Sequence, residues 1–228
     1  NDILSFAQFN NKIAWYENDG NGNFGEQQII TTSAIRVNDI YATDLDNDGD
    51  NDVLSASYND NKIAWYANDG NENFGEQQII TTNVKQAYTV HAADLDNDGD
   101  NDVLSASSGD DKIAWYENDS TGSFGEQQII TITVATPNDI YAADLDNDGD
   151  TDVLSTSAND NKIAWYANKG NGNFGKQQII TTAIDGTTDI YAADLDNDGD
   201  NDVLSASRHD NKVAWYENDG AGNFGTQN

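Results

Sequence analysis

Apolar and polar positions along this chain alternate in short bursts, not at a helical period. In residues 39–88, DIYATDL (39–45) alternates and is rich in β-formers, and DVLSAS (52–57) is a second short apolar run. KIAWYAN (62–68) sets Ile63 and Trp65 against Ala64 and Tyr66, and FGEQQIITT (74–82) ends in Ile79, Ile80 and Thr81. Turn chemistry separates these runs: DNDGDN, YNDN and NDGNEN. No window sustains a 3.6-residue apolar period, so no helix is predicted.

The pattern recurs every 50 residues without insertion: DLDNDGD stands at 44–50, 94–100, 144–150 and 194–200. NKIAWYEN or a variant starts at 11, 61, 111, 161 and 211, and FGEQQII or a variant at 24, 74, 124, 174 and 224. A period within the roughly 20–50 residues of repeat architectures points to solenoids, propellers or arrays. Four short meander-connected strands per unit describe a propeller blade. A stacked β-solenoid is the alternative, but solenoid repeats are usually shorter. The small residues Ser55, Ala56 and Ser57 suit close packing of neighbouring sheets. The expected fold is an all-β propeller in one domain, 1–228, with units 1–38 (partial), 39–88, 89–138, 139–188 and 189–228.

Composition narrows the function. Ten Lys+Arg against 41 Asp+Glu give a formal charge of -31, which excludes sequence-independent nucleic-acid binding and disfavours an anionic membrane surface. No apolar run is long enough to span a bilayer. The absence of cysteine rules out disulfides and thiolate metal sites. Five Trp, ten Tyr and seven Phe argue for a packed core despite the charge. With no Met and no visible signal peptide, the sequence reads as a mature or excised segment.

The loop DLDNDGDND carries the chemistry. Asp44, Asp46, Asp48 and Asp52 stand at loop positions 1, 3, 5 and 9, Gly49 allows a sharp turn at position 6, and Asp50 offers a main-chain carbonyl at position 7. The same spacing repeats at Asp94, Asp96, Asp98, Asp100 and Asp102, at Asp144, Asp146, Asp148, Asp150 and Asp152, and at Asp194, Asp196, Asp198, Asp200 and Asp202. An all-oxygen set without His or Cys favours Ca²⁺ over Mg²⁺ and transition metals. A solvated acidic turn is the bland alternative, but five carboxylates within nine residues repel strongly without a cation. The loop is not an EF-hand, since Ser55 stands where a bidentate Glu is needed. The first unit keeps only Asp2, so four Ca²⁺ sites are expected, tied to folding by mass action; they would bring the charge to about -23. Weak modular calcium sites suit millimolar extracellular calcium. An extracellular or cell-surface protein, secreted by a bacterium, is expected.

DLDNDGDNDVL followed by a strand, together with the FG that opens strand four, resembles the FG-GAP/VCBS repeats, the calcium-binding blades of integrin α-subunit-type propellers. The resemblance covers essentially the whole chain, although SAS or STS stands where the GAP part would match. It implies a propeller with calcium in the loop joining strands one and two. It does not fix a function, because such repeats serve adhesins, lectin-like proteins, enzyme accessory domains and structural arrays alike.

Comparison of the units locates two variable stretches: 33–38 with its counterparts, and the loop between strands two and three. In a meander these share the face opposite the calcium loops. Drift in unconstrained loops explains the variation as well as ligand contact does. The ligand reading names Arg36, Tyr58, Lys85, Tyr88, Arg208 and His209. The five Trp are expected between blades, not as sugar platforms, and His91 as a packing substitute for the Tyr of other units. No nucleophile–base set or phosphate loop is present, so no enzyme is expected. Asn118-Asp119-Ser120 is a formal glycosylation sequon that its place in a turn also explains.

A five-blade ring needs twenty strands, and the sequence supplies nineteen at most: the innermost strand of the first unit is missing. The chain is then a fragment of a longer array, a ring with one three-stranded blade, or a subunit whose missing strand comes from a neighbour. The functional expectation is a non-enzymatic binding or adhesion module for an extracellular glycan or protein. The alternative is a structural subunit that binds copies of itself, as an oligomer or filament completed by strand exchange.

Overall fold

The computed structural model describes residues 2–71 and 73–228. Asn1, in the first unit, and Glu72, in the turn NDGNEN, lie outside the described residues. The strands form five antiparallel sheets. The first holds β1 (Ile3–Ala7), β2 (Lys12–Tyr16) and β3 (Gln28–Thr31). The second holds β4 (Val37–Thr43), β5 (Asp52–Ser57), β6 (Lys62–Tyr66) and β7 (Gln78–Thr81). The third holds β8 (Ala87–Ala93), β9 (Asp102–Ser107), β10 (Lys112–Tyr116) and β11 (Gln128–Thr131). The fourth holds β12 (Pro137–Ala143), β13 (Asp152–Ser157), β14 (Lys162–Tyr166) and β15 (Gln178–Thr181). The fifth holds β16 (Thr187–Ala193), β17 (Asp202–Ser207) and β18 (Lys212–Tyr216). Each is a meander, and together they are blades of a propeller whose ring is not closed.

Strand two is exact to the residue, whereas three expected boundaries move. The inner strand runs 37–43, not 39–45, because the aspartate-loop turn takes residues 44 and 45. Strand three ends at Tyr66. The FG dipeptide does not open strand four: Phe74 makes an isolated bridge to Asn68, Gly75 N–H donates to the Ala67 carbonyl at 2.8 Å, and β7 begins at Gln78. In the last unit this ladder is present only at Asn228, whose N–H donates to the Trp215 carbonyl at 3.0 Å.

The cores lie between blades, which explains the patterning. Leu45, Leu54, Ile63 and Trp65 of the second blade pack on Val90, Ala92, Val103 and Tyr116 of the third. The corresponding residues join blades three and four, and four and five. Each of the three middle blades therefore buries two faces, and every position of β5, β9 and β13 is buried. Alternation there is large against small, not apolar against polar, and Ser55 satisfies its hydroxyl by donating to the Ala64 carbonyl at 3.2 Å. Trp65 meets Phe124 of the next blade edge-on at 6.4 Å, so the indoles are core, as expected. Gly122 sits on Trp65 so closely that a Cβ would lie 2.3 Å from Cζ2, with φ +72° besides; only glycine fits both demands.

Inner strands β4, β8, β12 and β16 line the axis. Tyr41, His91, Tyr141 and Tyr191 stack around it at 4.6, 4.8 and 4.7 Å between successive ring centroids. His91 is a packing substitute, buried and with its pKa pushed down to about 4 by desolvation.

Candidate metal centre

The turn after each inner strand is wound by its own carboxylates. Asp44 Oδ2 accepts the Gly49 N–H at 3.0 Å, and Asp48 Oδ1 accepts the Asp50 N–H at 2.9 Å. Asn47 and Gly49 take left-handed backbone, φ +58° and +95°, which reverses the chain so that side chains at positions 1, 3 and 5 converge. Carboxylate oxygens of Asp44, Asp46 and Asp48 lie within 4.8 Å of one another. The same closeness holds for Asp94, Asp96 and Asp102, for Asp144, Asp146 and Asp152, and for Asp194, Asp196 and Asp202.

At that spacing each like-charged pair costs roughly 3–4 kcal/mol at an effective dielectric of about 20, so the cluster calls for protons or a cation. Oδ1 of Asp44 and of Asp46 is buried without a partner, and so is Oδ1 of Asp144 and of Asp146. Burial, with the neighbouring Asp48, Asp98 and Asp148 charges, pushes the pKa of Asp46, Asp96 and Asp146 up. These are the marks of a donor set that fits a hard dication: all oxygen, convergent, partly dehydrated and unsatisfied.

The five acids of a loop do not act alike. Asp52 is wholly buried, and its oxygens accept the N–H groups of Leu45 and Asn68, both at 2.8 Å. It therefore clamps the loop to the hairpin that follows strand three. Desolvation, only partly offset by these donors, pushes Asp52 up to about 6 and Asp102 and Asp152 up to about 7. Asp2 performs the same clamp in the first blade, accepting Asn18 N–H at 2.8 Å. Side chains at position 7 turn away from the cluster. Asp100, Asp150 and Asp200 accept amide protons from Asn47, Asn97 and Asn147 of the preceding loop, each at 2.5 Å. The residue thus faces the neighbouring blade, leaving its main-chain carbonyl as the group expected to ligate.

Inter-blade asparagines were not among the expected site residues. Asn118 Nδ2 donates to the carbonyls of Leu45, in the previous blade, at 2.8 Å and of Asn101 at 3.0 Å. Asn168 and Asn218 repeat the contact on Leu95 and Leu145. Asn101 Nδ2 also reaches the Asp44 carbonyl at 3.1 Å, and Asn201 that of Asp144 at 2.9 Å. Their recurrence at one place in each unit was the available signal. Because Asn118 is 2% exposed and its amide is committed, the sequon is closed in the folded protein.

On the opposite face, each strand two-to-three loop bonds to the segment entering the inner strand, as Tyr58 N–H does to the Arg36 carbonyl at 3.0 Å. Of the six expected ligand-face residues, three come together. The Arg36 guanidinium lies 4.4 Å above the Tyr58 ring, and Tyr58 meets Tyr88 edge-on at 6.3 Å. Arg36 Nε is buried without a partner. Lys85 lies at the next such junction, where its carbonyl accepts the Gly109 N–H at 2.9 Å. Arg208 and His209 are on the fifth blade, with His209 Nδ1 3.2 Å from Asp185 Oδ1.

A family model described as FG-GAP-like repeat matches five times, at residues 1–55, 44–105, 94–155, 147–205 and 194–228. No curated protein matches the sequence. Among solved structures, a lectin from Agrocybe aegerita that recognises non-reducing terminal N-acetylglucosamine is 18% identical with a TM-score of 0.70, over 100% of this chain and 65% of that one. An auxiliary nutrient-binding protein from Bacteroides ovatus is 14% identical with a TM-score of 0.63, over 99% of this chain and 53% of that one. The NanB sialidase of Streptococcus pneumoniae is 14% identical with a TM-score of 0.59, over 86% of this chain and 32% of that one. At these identities the likeness is one of fold. The chain spans less than two thirds of the length of each. Among the described residues, no helix is long and apolar enough to cross a membrane.

Proposed function

The chain belongs to the FG-GAP-like repeat family, and from that premise we propose a calcium-stabilised, extracellular, non-enzymatic module that binds a glycan through its variable face. The observation that carries the calcium reading is the pair of buried, partnerless Asp44 and Asp46 oxygens, recurring at Asp144 and Asp146. In this reading the carboxylates at positions 1, 3, 5 and 9 and the carbonyl at position 7 hold the ion, and Asp52 and its counterparts also clamp the loop. Calcium neutralises the repulsion that otherwise opposes the turn. The glycan reading rests on Arg36, Tyr58 and Tyr88, an aromatic pair beside a guanidinium, the side-chain chemistry that stacks on and hydrogen-bonds to sugars. Likeness of fold to a lectin and a nutrient-binding protein supports it.

Thermal melts and a glycan array test the two halves. At calcium 10–100 times the dissociation constant, each site adds about 1.4–2.7 kcal/mol, so four sites raise Tm by at least about 10 °C over the chelated protein. Array binding is expected to be lost in Tyr58→Ala with Tm unchanged within a few degrees. Equal Tm with and without calcium overturns the first half, and a blank array overturns the second. A second reading, a subunit of a surface assembly, rests on the outer blades. Leu195 and Val213 are 42% and 73% exposed where Leu45 and Ile63 are buried. A further blade, from a longer chain or another copy, would cover them, and sedimentation velocity reads the second case directly.

A further inference from the structure

We propose that the four calcium loops bind as a chain of coupled sites, with Asn47, Asn97 and Asn147 as positioning residues. The proposal rests on the calcium reading above. Three links join the first loop to the second. Asn47, held in left-handed backbone inside the first loop, grips the Asp100 carboxylate, and Asp100 is the residue whose carbonyl is expected to ligate in the second. Asn101, in the second loop, donates to the Asp44 carbonyl of the first. Asn118, whose N–H is clamped by Asp102 of the second loop, donates to the Leu45 carbonyl of the first. Ordering either loop therefore fixes groups that order the other.

The second and third loops share the corresponding bonds from Asn97 to Asp150 and from Asn168 to Leu95, and the third and fourth those from Asn147 to Asp200 and from Asn218 to Leu145. Thr151 replaces the asparagine of the remaining link, which makes the middle junction the lightest. That link is present again between the third and fourth loops, where Asn201 donates to the Asp144 carbonyl. Electrostatics alone gives the opposite sign, since a first Ca²⁺ weakens the potential attracting the next. At about 0.15 M salt that repulsion is screened over about 8 Å, whereas the hydrogen-bonded links are unaffected.

Native mass spectrometry through a calcium titration counts ions per chain. Because the two outer junctions are the stronger, coupling predicts that chains with one or three ions are depleted relative to independent binding. Asn97→Ala weakens the middle junction, leaving it the bond from Asn168 to Leu95. It is expected to raise the calcium needed for half-occupancy of the coupled sites about fivefold, the low end for linked sites, and to make chains with two ions accumulate, with four ions still bound at saturation. Asn197→Ala is the control: both asparagines have φ +65°, so the backbone effect is matched, and among the described residues the Asn197 side chain holds no other loop, as Asn97 holds Asp150. Independent binding of four ions, or equal effects of the two variants, overturns the coupling while leaving the calcium reading intact. No bound calcium overturns both.

Discussion

Replacing Asn118 by alanine removes a buried joint between two blades without touching any carboxylate. Its amide supplies the Leu45 and Asn101 carbonyls, both within the blade interface. Two acceptors left without a donor cost about 2–6 kcal/mol, while loss of the partnerless Asn118 Oδ1 returns about 1–3 kcal/mol. The net is destabilisation by about 1–3 kcal/mol, or a Tm lower by about 2–12 °C in a chain of this size. Asn68 is the internal comparison. Its Nδ2 donates to the Asn51 carbonyl of its own blade at 3.1 Å and its Oδ1 accepts the Gly70 N–H at 3.2 Å, both exposed and neither crossing to another blade. Asn68→Ala therefore loses at most about 1 kcal/mol. Urea unfolding followed by tryptophan fluorescence, with calcium saturating, compares the two. Asn118→Asp, which sets a carboxylate against two carbonyls, should be worse than either. Equal midpoints for Asn118→Ala and Asn68→Ala would refute the reasoning, since the interface contact would then contribute nothing.

Two further substitutions separate packing from titration. Gly122→Ala drives a methyl into Trp65 at a positive-φ position, whereas Gly22→Ala meets the φ penalty with open space around it. Overpacking adds about 1–3 kcal/mol, so calorimetry should find Gly122→Ala the less stable by that margin; no difference would contradict the close approach. His91 has a folded-state pKa of about 4 against an ordinary 6.5, so the folded protein binds fewer protons than the unfolded chain between those values. Stability thus falls as pH drops through that window, by on the order of 3 kcal/mol at full protonation. His91→Tyr, the residue at 41, 141 and 191, should remove that part of the acid loss in melts between pH 7 and 4, and an unchanged profile would show that His91 does not carry it.

Much of this architecture is legible in a single unit. Alternation within KIAWYAN, the small residues of DVLSAS and the turns between them place three strands within two residues of where they lie. Repetition then places the tryptophans between blades and the variable loops opposite the aspartates. What one unit cannot show is contact with the next. Asn118 and Leu45 are 73 residues apart, and Asn47 and Asp100 are 53 apart, so only the ring's geometry brings them together. For the same reason Asp100, Asp52 and Asp46 stand in like runs of aspartates in the sequence yet meet a neighbouring blade, two backbone donors and converging carboxylates respectively. The FG dipeptide likewise suggests a strand start, whereas its phenylalanine is placed to meet the tryptophan of the blade before it.

Calcium underlies most of these expectations, and its stoichiometry is the most direct thing to measure. Equilibrium dialysis against radioactive calcium at millimolar free concentration should find four ions per chain, falling to three in Asp46→Asn. A protein that retains none, and melts at the same temperature after chelation, would mean that the aspartate loops are acidic turns and not metal centres.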